Sequence, residues 1–180
     1  MFIQTENTPN PATLKFIPGE IVSSKKTYEF VSIDEAGKSP LAQLIFAIEN
    51  VTGVFLGSDF ISVTIEGDWQ EAKPQILGAI MQHYSSDQAV VIEDGNEVAD
   101  GVEEDENIIQ IKAILEEKVR PAVAQDGGDV LFERFEDGVV FLKLQGACAG
   151  CPSSTMTLKH GIENLLKYYV PDVQEVRQVI

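Results

Sequence analysis

One short acidic segment constrains how this chain of 180 residues can fold. Residues 93–107 contain 8 acidic residues and no basic residue. Like charges repel and extend a chain, and a segment with so few apolar residues has almost nothing to bury in a core. We therefore expect an acidic linker at 93–107 between two small domains, at 1–92 and 108–180. A docking tail for a basic partner is the alternative interpretation of this charge run.

The composition limits the classes of partner that the chain can have. Its formal net charge is -16, and 44% of its residues are hydrophobic, which is sufficient for packed cores. The negative charge argues against nucleic acid and against a polybasic contact with a membrane, since both need clustered Lys and Arg. No apolar run approaches the roughly 20 residues that span a bilayer. We therefore expect neither a nucleic-acid partner nor a membrane partner.

The compartment is predicted from the same features. The residues after Met1 show no secretory signal and no Arg-rich transit peptide. We therefore expect a cytoplasmic protein of bacterial type, with a mature organelle protein as the alternative. In a reducing compartment, a close pair of cysteines is more often metal-binding or catalytic than a structural disulfide.

The first domain is predicted to mix helices and strands. Ser39-Pro40 is typical of a helix start, because Ser caps the helix and Pro fits its first turn. The other predicted elements are a strand at 12–17, a hairpin from Val51 to Ile65, a helix between Trp69 and Tyr84 with Pro74 in its first turn, and a last strand from Ala89 to Ile92. No catalytic or metal-binding group comes together in this pattern, and the lone His83 is interpreted as structural. We expect a scaffold or a client-recognition module.

The second domain begins with a predicted helix near Glu106, which Pro121 interrupts. Gly127-Gly128 is interpreted as its C-terminal cap. Strands from Val130 to Glu136 and from Val139 to Gln145 form a hairpin around an Asp137-Gly138 turn. That turn predicts pairing of Phe135 with Val140, Glu133 with Leu142, and Leu131 with Leu144.

The chain is predicted to end with a helix and a strand. The helix opens at Pro152 and has an apolar face that continues to Tyr169. The strand covers Val173 to Ile180, with an imperfect alternation that leaves its position in the sheet open. The predicted fold class is therefore α+β, with two small α/β-mixed domains joined by an acidic linker.

The two cysteines of the chain, Cys148 and Cys151, lie between the second hairpin strand and the last helix. A helix N-terminus presents unpaired amides and a partial positive charge, which favour thiolate over thiol. We therefore expect lowered cysteine pKa values. Gly146 and Gly150 allow the backbone to approach a bulky inorganic centre.

The cysteine pair is compatible with four kinds of site. The cysteines could be incidental, or they could be a thioredoxin-like redox pair, since Cys-x-x-Cys at a helix start is also that motif. A structural zinc needs four ligands, and one chain offers only His160 as a third, so a zinc would have to be shared between two chains. A [4Fe–4S] cluster needs four thiolates, so two chains could share one cluster.

The motif around the cysteines resembles the C-terminal domain of the NifU/Nfu family. The resemblance rests on Asp126-Gly-Gly-Asp129, the hairpin, and Gly146-Ala-Cys-Ala-Gly-Cys-Pro-Ser-Ser154, and it covers about residues 106–180. The first domain is similar to the N-terminal Nfu domain at Thr8-Pro-Asn-Pro-Ala-Thr-Leu-Lys-Phe16, at Gly53-Val-Phe-Leu-Gly-Ser-Asp-Phe-Ile61 and in the Trp69 helix.

This resemblance implies an iron–sulfur cluster carrier or scaffold that is not an enzyme. It implies that Cys148 and Cys151 are the ligands of a [4Fe–4S] cluster, which a homodimer holds between its two subunits. The implied partners are an upstream cluster scaffold and apo iron–sulfur client proteins. A dithiol oxidoreductase of thioredoxin type is the alternative function.

Overall fold

The computed structural model describes residues 1–92, 105–150 and 152–179. Within these ranges the strands form a five-stranded sheet and a three-stranded sheet, each with its own helices and its own hydrophobic core. This mixed architecture of two domains confirms the predicted α+β class. Most of the predicted linker, residues 93–104, lies outside the described residues. Asp105 caps the first helix of the second domain, which begins at Glu106.

The first domain is an antiparallel sheet covered on one face by two helices. Its strand order is β1-β2-β5-β4-β3. The strands are β1 (Gln4–Asn7), β2 (Thr13–Ile17), β3 (Tyr28–Phe30), β4 (Val51–Leu56) and β5 (Ile61–Ile65), and the helices are α1 (Pro40–Phe46) and α2 (Trp69–Ser85).

The two faces of this sheet differ in chemistry because side chains alternate along a strand. The inner face is apolar and packs against α1 and α2 through residues such as Phe16, Leu56 and Val63. The alternate positions on the other face, which we call the outer face, are largely polar. They are Thr13, Lys15, Glu29, Phe55, Ser62 and Thr64.

Several predictions for the first domain are confirmed. The Ala42 amide donates to the Ser39 hydroxyl, which caps α1, and the hairpin of β4 and β5 is present. Pro74 lies in the second turn of α2, so its predicted place in the first turn is wrong. The predicted strand at 89–92 is also wrong. Those residues are held against the start of α1, where Ser39 donates to the Val90 carbonyl.

The second domain packs its helices on a three-stranded sheet of order β6-β7-β8. Its helices are α3 (Glu106–Ile114), α4 (Arg120–Gln125) and α5 (Pro152–Tyr169), with a π-helical turn at Leu115–Val119 between α3 and α4. The strands are β6 (Gly128–Glu136), β7 (Val139–Gly146) and β8 (Glu175–Val179). Among the described helices, none is long and apolar enough to cross a membrane.

The pairing of β7 with β8 is parallel, so β7, α5 and β8 form a βαβ unit. Residues 146–151, where β7 ends and the chain continues to α5 of this unit, contain both cysteines, and we call them the cysteine stretch. Ile162 and Leu166 of α5 are buried as predicted, whereas Tyr169, which was predicted on the same face, is exposed. The sequence did not predict that β8 pairs with the strand that leads to the cysteines.

The hairpin of β6 and β7 has the predicted turn but a different register beyond it. Phe135 pairs with Val140 as expected. A bulge between Phe132 and Arg134 then pairs Phe132 with Leu142. The predicted pairs of Glu133 with Leu142 and Leu131 with Leu144 are therefore wrong. The bulge adds one residue to β6, which leaves the exposed Glu133 out of the apolar face.

Candidate metal-binding loop

A pair of glycines connects α4 to β6 beside the cysteine stretch. Gly127 has a φ of 80°, and its amide donates to the carbonyl of Ala124 over 3.1 Å. The left-handed backbone and this hydrogen bond confirm that Gly127 terminates the helix. Gly127 then accepts a hydrogen bond from the amide of Ala147, one residue before the first cysteine.

The second glycine of the pair makes room for Cys148. A Cβ atom at Gly128 would lie 2.5 Å from the Cys148 sulfur and 2.7 Å from the carbonyl oxygen of Gln145. No side chain fits in that space without a shift of its neighbours. The helix cap needs only Gly127. In the sequence, the need for space beside Cys148 is therefore visible only as the second glycine, Gly128.

Cys148 is a free and buried thiol, 7% exposed, and it packs in the core of the second domain. Burial raises the pKa of the Cys148 thiol to about 12, and the carboxylates of Asp126 and Asp129 act in the same direction. The expectation of a lowered cysteine pKa is therefore wrong for Cys148. Loss of water disfavours the thiolate, and α5 begins only after the second cysteine.

Cys151 lies outside the described residues, so the geometry of the pair is not described. Within the described ranges, no group of three or more His, Cys, Asp and Glu side chains converges as a metal site. His160 is exposed on α5. The zinc interpretation therefore finds no further ligand in the part of the chain that the structure describes.

Asp129 is a buried carboxylate, and in the sequence it stands out only as the last residue of the motif Asp126-Gly-Gly-Asp129. The guanidinium of Arg120 donates to both of its oxygens over 2.8 Å. The amide of Val130 and the hydroxyl of Thr27 also donate to this carboxylate, over 2.8 and 2.7 Å. Thr27 belongs to the first domain, so Asp129 joins α4, β6 and the other domain.

The first domain contacts the cysteine stretch directly. The amide of Gly146 donates to Oε1 of Glu29 over 2.8 Å, and Ser62 donates to the carbonyl of Gly127 over 2.6 Å. Burial raises the pKa of the Glu29 carboxyl, and the hydrogen bond from Gly146 lowers it in part. The outer face of the first sheet therefore binds the backbone at Gly127 and at Gly146, two residues before Cys148.

The groups around Cys148 are of the kind that bind a soft metal, although the cavity beside its sulfur is small. A thiol flanked by Gly128 and Gly146 offers a sulfur donor and close backbone approach, as iron–sulfur centres require. The cavity at Cys148 has a volume of about 50 Å³, which is room for only a few water molecules. It is lined by Asp126, Ala147, Cys148, Leu158 and, from the first domain, Pro9.

Comparison with known proteins agrees with the motif. Residues 3–87 match the family model "Scaffold protein Nfu/NifU N terminal", and residues 111–177 match the NifU-like domain. A solution structure of a NifU-like protein from Saccharomyces cerevisiae is 27% identical, with a TM-score of 0.48, and covers 52% of this chain and 87% of that chain.

Two curated relatives match nearly the whole chain. The human NFU1 iron-sulfur cluster scaffold homolog, mitochondrial, is 48% identical over 184 residues, which cover 100% of this chain and 72% of that protein. The protein of the same name from Drosophila willistoni is 44% identical and is covered over 64% of its length.

These relatives overturn the expectation of a cytoplasmic protein of bacterial type, because both are named mitochondrial. The expectation rested on the residues after Met1, and the absence of a targeting pattern does not by itself identify a compartment. The domain pair, the cysteine motif and the identity over the full chain agree with one another. This chain belongs to the NFU1 family of iron–sulfur cluster scaffold proteins.

Proposed function

We propose that the protein is a carrier that holds a [4Fe–4S] cluster between two copies of the chain. The cysteine count carries this proposal, because the 180 residues contain two cysteines and such a cluster takes four thiolates. Cys148 and Cys151 of each copy are the proposed ligands. The glycine at position 128 supports the assignment, since the absence of a side chain there lets the backbone lie close to the Cys148 sulfur.

The proposed activity is ligand exchange and not catalysis. Each client thiolate that bonds to iron replaces one thiolate of the carrier, so the number of iron–sulfur bonds is unchanged and no electron is transferred. A site with half of its ligands on each subunit comes apart more readily than one within a single chain. The clients are apo iron–sulfur proteins, and an upstream scaffold supplies the cargo. The names of the relatives support a mitochondrial place of action.

Anaerobic reconstitution with ferrous iron and sulfide tests this proposal. We expect a brown protein with about four irons per dimer and a mass that doubles on loading. Cys148→Ala and Cys151→Ala should each abolish loading, because either change leaves too few thiolates. His160→Gln is the matched control, since His160 is the third ligand in the zinc interpretation, and it should load like the parent.

Three outcomes would contradict the proposed function. A full cluster in either cysteine variant would refute the ligand assignment. Loading at the parental level in a monomer would refute the shared site. A colourless protein that reduces the disulfides of insulin would identify a dithiol oxidoreductase instead.

A further inference from the structure

The outer face of the first sheet is polar and yet buried. Lys15 is 8% exposed and Ser62 is 1% exposed, although neither belongs to the apolar core of the first domain. Buried polar groups are found where partners satisfy them. The hydrogen bonds of both side chains go to the second domain, although Lys15 also lies 3.6 Å from Glu6 of the first domain. The burial of this face therefore results from contact between the domains.

Side chains of the first domain bind the backbone of the second domain more than its side chains. Lys15 donates from Nζ to the carbonyls of Ala124 and Gln125, over 3.0 and 3.3 Å, at the C-terminal end of α4. An ammonium group at that end also complements the helix dipole. With the bonds of Ser62 to Gly127 and of Glu29 to Gly146, the outer face binds four backbone groups of the second domain, all within residues 124–146.

The fit leaves no room for side chains on the glycines. A Cβ atom at Gly127 would lie 2.8 Å from the Ser62 hydroxyl, and one at Gly146 would lie 3.1 Å from the ring of Phe55. Gly150 lies between the two cysteines, and a Cβ atom there would be 3.0 Å from the amide nitrogen of Asn10. Part of the glycine pattern around the cysteines therefore serves contact with the first domain.

This arrangement is closed to a second chain. Four thiolates must surround one shared cluster, so the cysteine stretches of two chains have to face each other at short range. Here the first domain lies against Gly146 and Gly150, and Pro9 closes one side of the small cavity at Cys148. The contact between the domains includes several hydrogen bonds, and such polar interfaces are typical of domains that move relative to each other.

We propose that the outer face of the first sheet is a reversible binding surface for the chain's own cysteine stretch, and that the two domains separate before two chains share a cluster. The second half of this proposal rests on the proposed function. The first half concerns the apo protein and is independent of any metal.

A charge-reversal variant tests the surface without touching the cysteines. Lys15→Glu combined with Ser62→Glu places two carboxylates against the carbonyls of Ala124, Gln125 and Gly127, on the segment that contains Asp126. Both positions are on the outer face, so the core of the first domain is unaffected. Lys73→Glu combined with Gln75→Glu is the matched control, because it changes the charge equally on α2, at the opposite face of the sheet.

Hydrogen exchange and small-angle scattering of the apo proteins measure whether the two domains separate. We expect residues 126–129 and 146–150 to exchange at least about tenfold faster in the outer-face variant, since several hydrogen bonds are lost. Its radius of gyration should rise above the roughly 16 Å of a compact chain of this length. Reconstitution with ferrous iron and sulfide should be faster than in the parent, and the control should match the parent in all three measurements.

Each possible result bears on the proposal. Parental exchange and scattering in the outer-face variant would refute the binding surface, provided that Trp69 fluorescence shows a folded first domain. If that variant unfolds, the milder Glu29→Ala with Thr27→Ala takes its place under the same criteria.

A variant whose domains separate but which loads iron and sulfide more slowly than the parent would refute the inference that the first domain covers the cysteines before loading. Opening without loading in any form, the parent included, would support the surface and refute the proposed function. A dimer in the apo parent, with the same exchange protection, would indicate that the surface binds the partner's stretch and would refute the intramolecular assignment.

Discussion

At the scale of single residues, Asp129 connects several elements near the cysteines. Its side chain is 5% exposed, and it accepts hydrogen bonds from Arg120, Val130 and Thr27. The neighbouring carboxylate of Asp129 raises the pKa of the Arg120 guanidinium above its usual value. Asp129 therefore fixes the start of β6, which carries the glycine against which Cys148 packs.

Asp129→Asn should destabilise the second domain by about 2–3 kcal/mol, because the charge-assisted bonds to Arg120 are lost. Arg120 is 29% exposed, so the loss should be smaller than for a fully buried ion pair. Native-state hydrogen exchange of β6 and β7 measures the effect. Glu175→Gln is the control, since its pair with Arg177 is on the surface, and it should leave exchange unchanged. An equal effect of both substitutions would contradict this assignment.

His83 should make the first domain sensitive to acid. Its ring is fully buried, and burial lowers the pKa of this imidazole below 6.5. Between pH 6.5 and the lower folded-state value, the unfolded chain binds a proton that the folded chain does not bind. The contribution of His83 to stability is therefore complete above pH 6.5 and decreases as the pH falls below it.

Urea unfolding followed by Trp69 fluorescence between pH 7.5 and pH 5 measures this dependence. The midpoint should fall with decreasing pH in the parent and fall less in His83→Leu, whose side chain does not titrate. Identical slopes in the parent and in His83→Leu would show that other groups cause the acid sensitivity.

At the scale of elements, two glycines of the second domain have opposite predicted effects. Gly128→Ala should destabilise the domain by about 1–3 kcal/mol, because the added Cβ atom meets the Cys148 sulfur and backbone. Gly161→Ala should stabilise it by about 0.5–1 kcal/mol, because Gly161 is inside α5 and has no atom within 4 Å of the added carbon. Thermal unfolding followed by circular dichroism compares the two variants, and the same sign for both would contradict the packing role of Gly128.

The bounds of the helices and strands show which local sequence signals are sufficient to predict an element. Ser39-Pro40 and Asp137-Gly138 gave a helix start and a turn that the structure confirms, because capping and turn geometry are local. The register of the hairpin was not predictable, since the bulge near Glu133 depends on what the sheet packs against. The short strands β1 and β3 were also not predicted. They are edge strands, and pairing with a neighbour defines them more than their own pattern does.

At the scale of the whole molecule, two separate cores meet through a contact that is mainly polar. Each core is built from residues of its own domain. The bonds between the domains connect positions more than 60 residues apart, such as Ser62 with Gly127 and Glu29 with Gly146. The closed arrangement therefore depends on the relative placement of two complete domains, each with a core of its own.

The sequence by itself determined the two-domain organisation, the α+β class and the location of the cysteines between a strand and a helix. These features follow from local chemistry: the pattern of charge along the chain, alternation along strands, and caps at helix ends. Only the tertiary structure decided that Cys148 is buried, that Gly128 makes room for its sulfur, and that Glu29 and Ser62 bind the backbone beside it. The expected thiolate became a buried thiol because a cysteine pKa depends on burial and on carboxylates brought near by folding, which no spacing along the chain encodes.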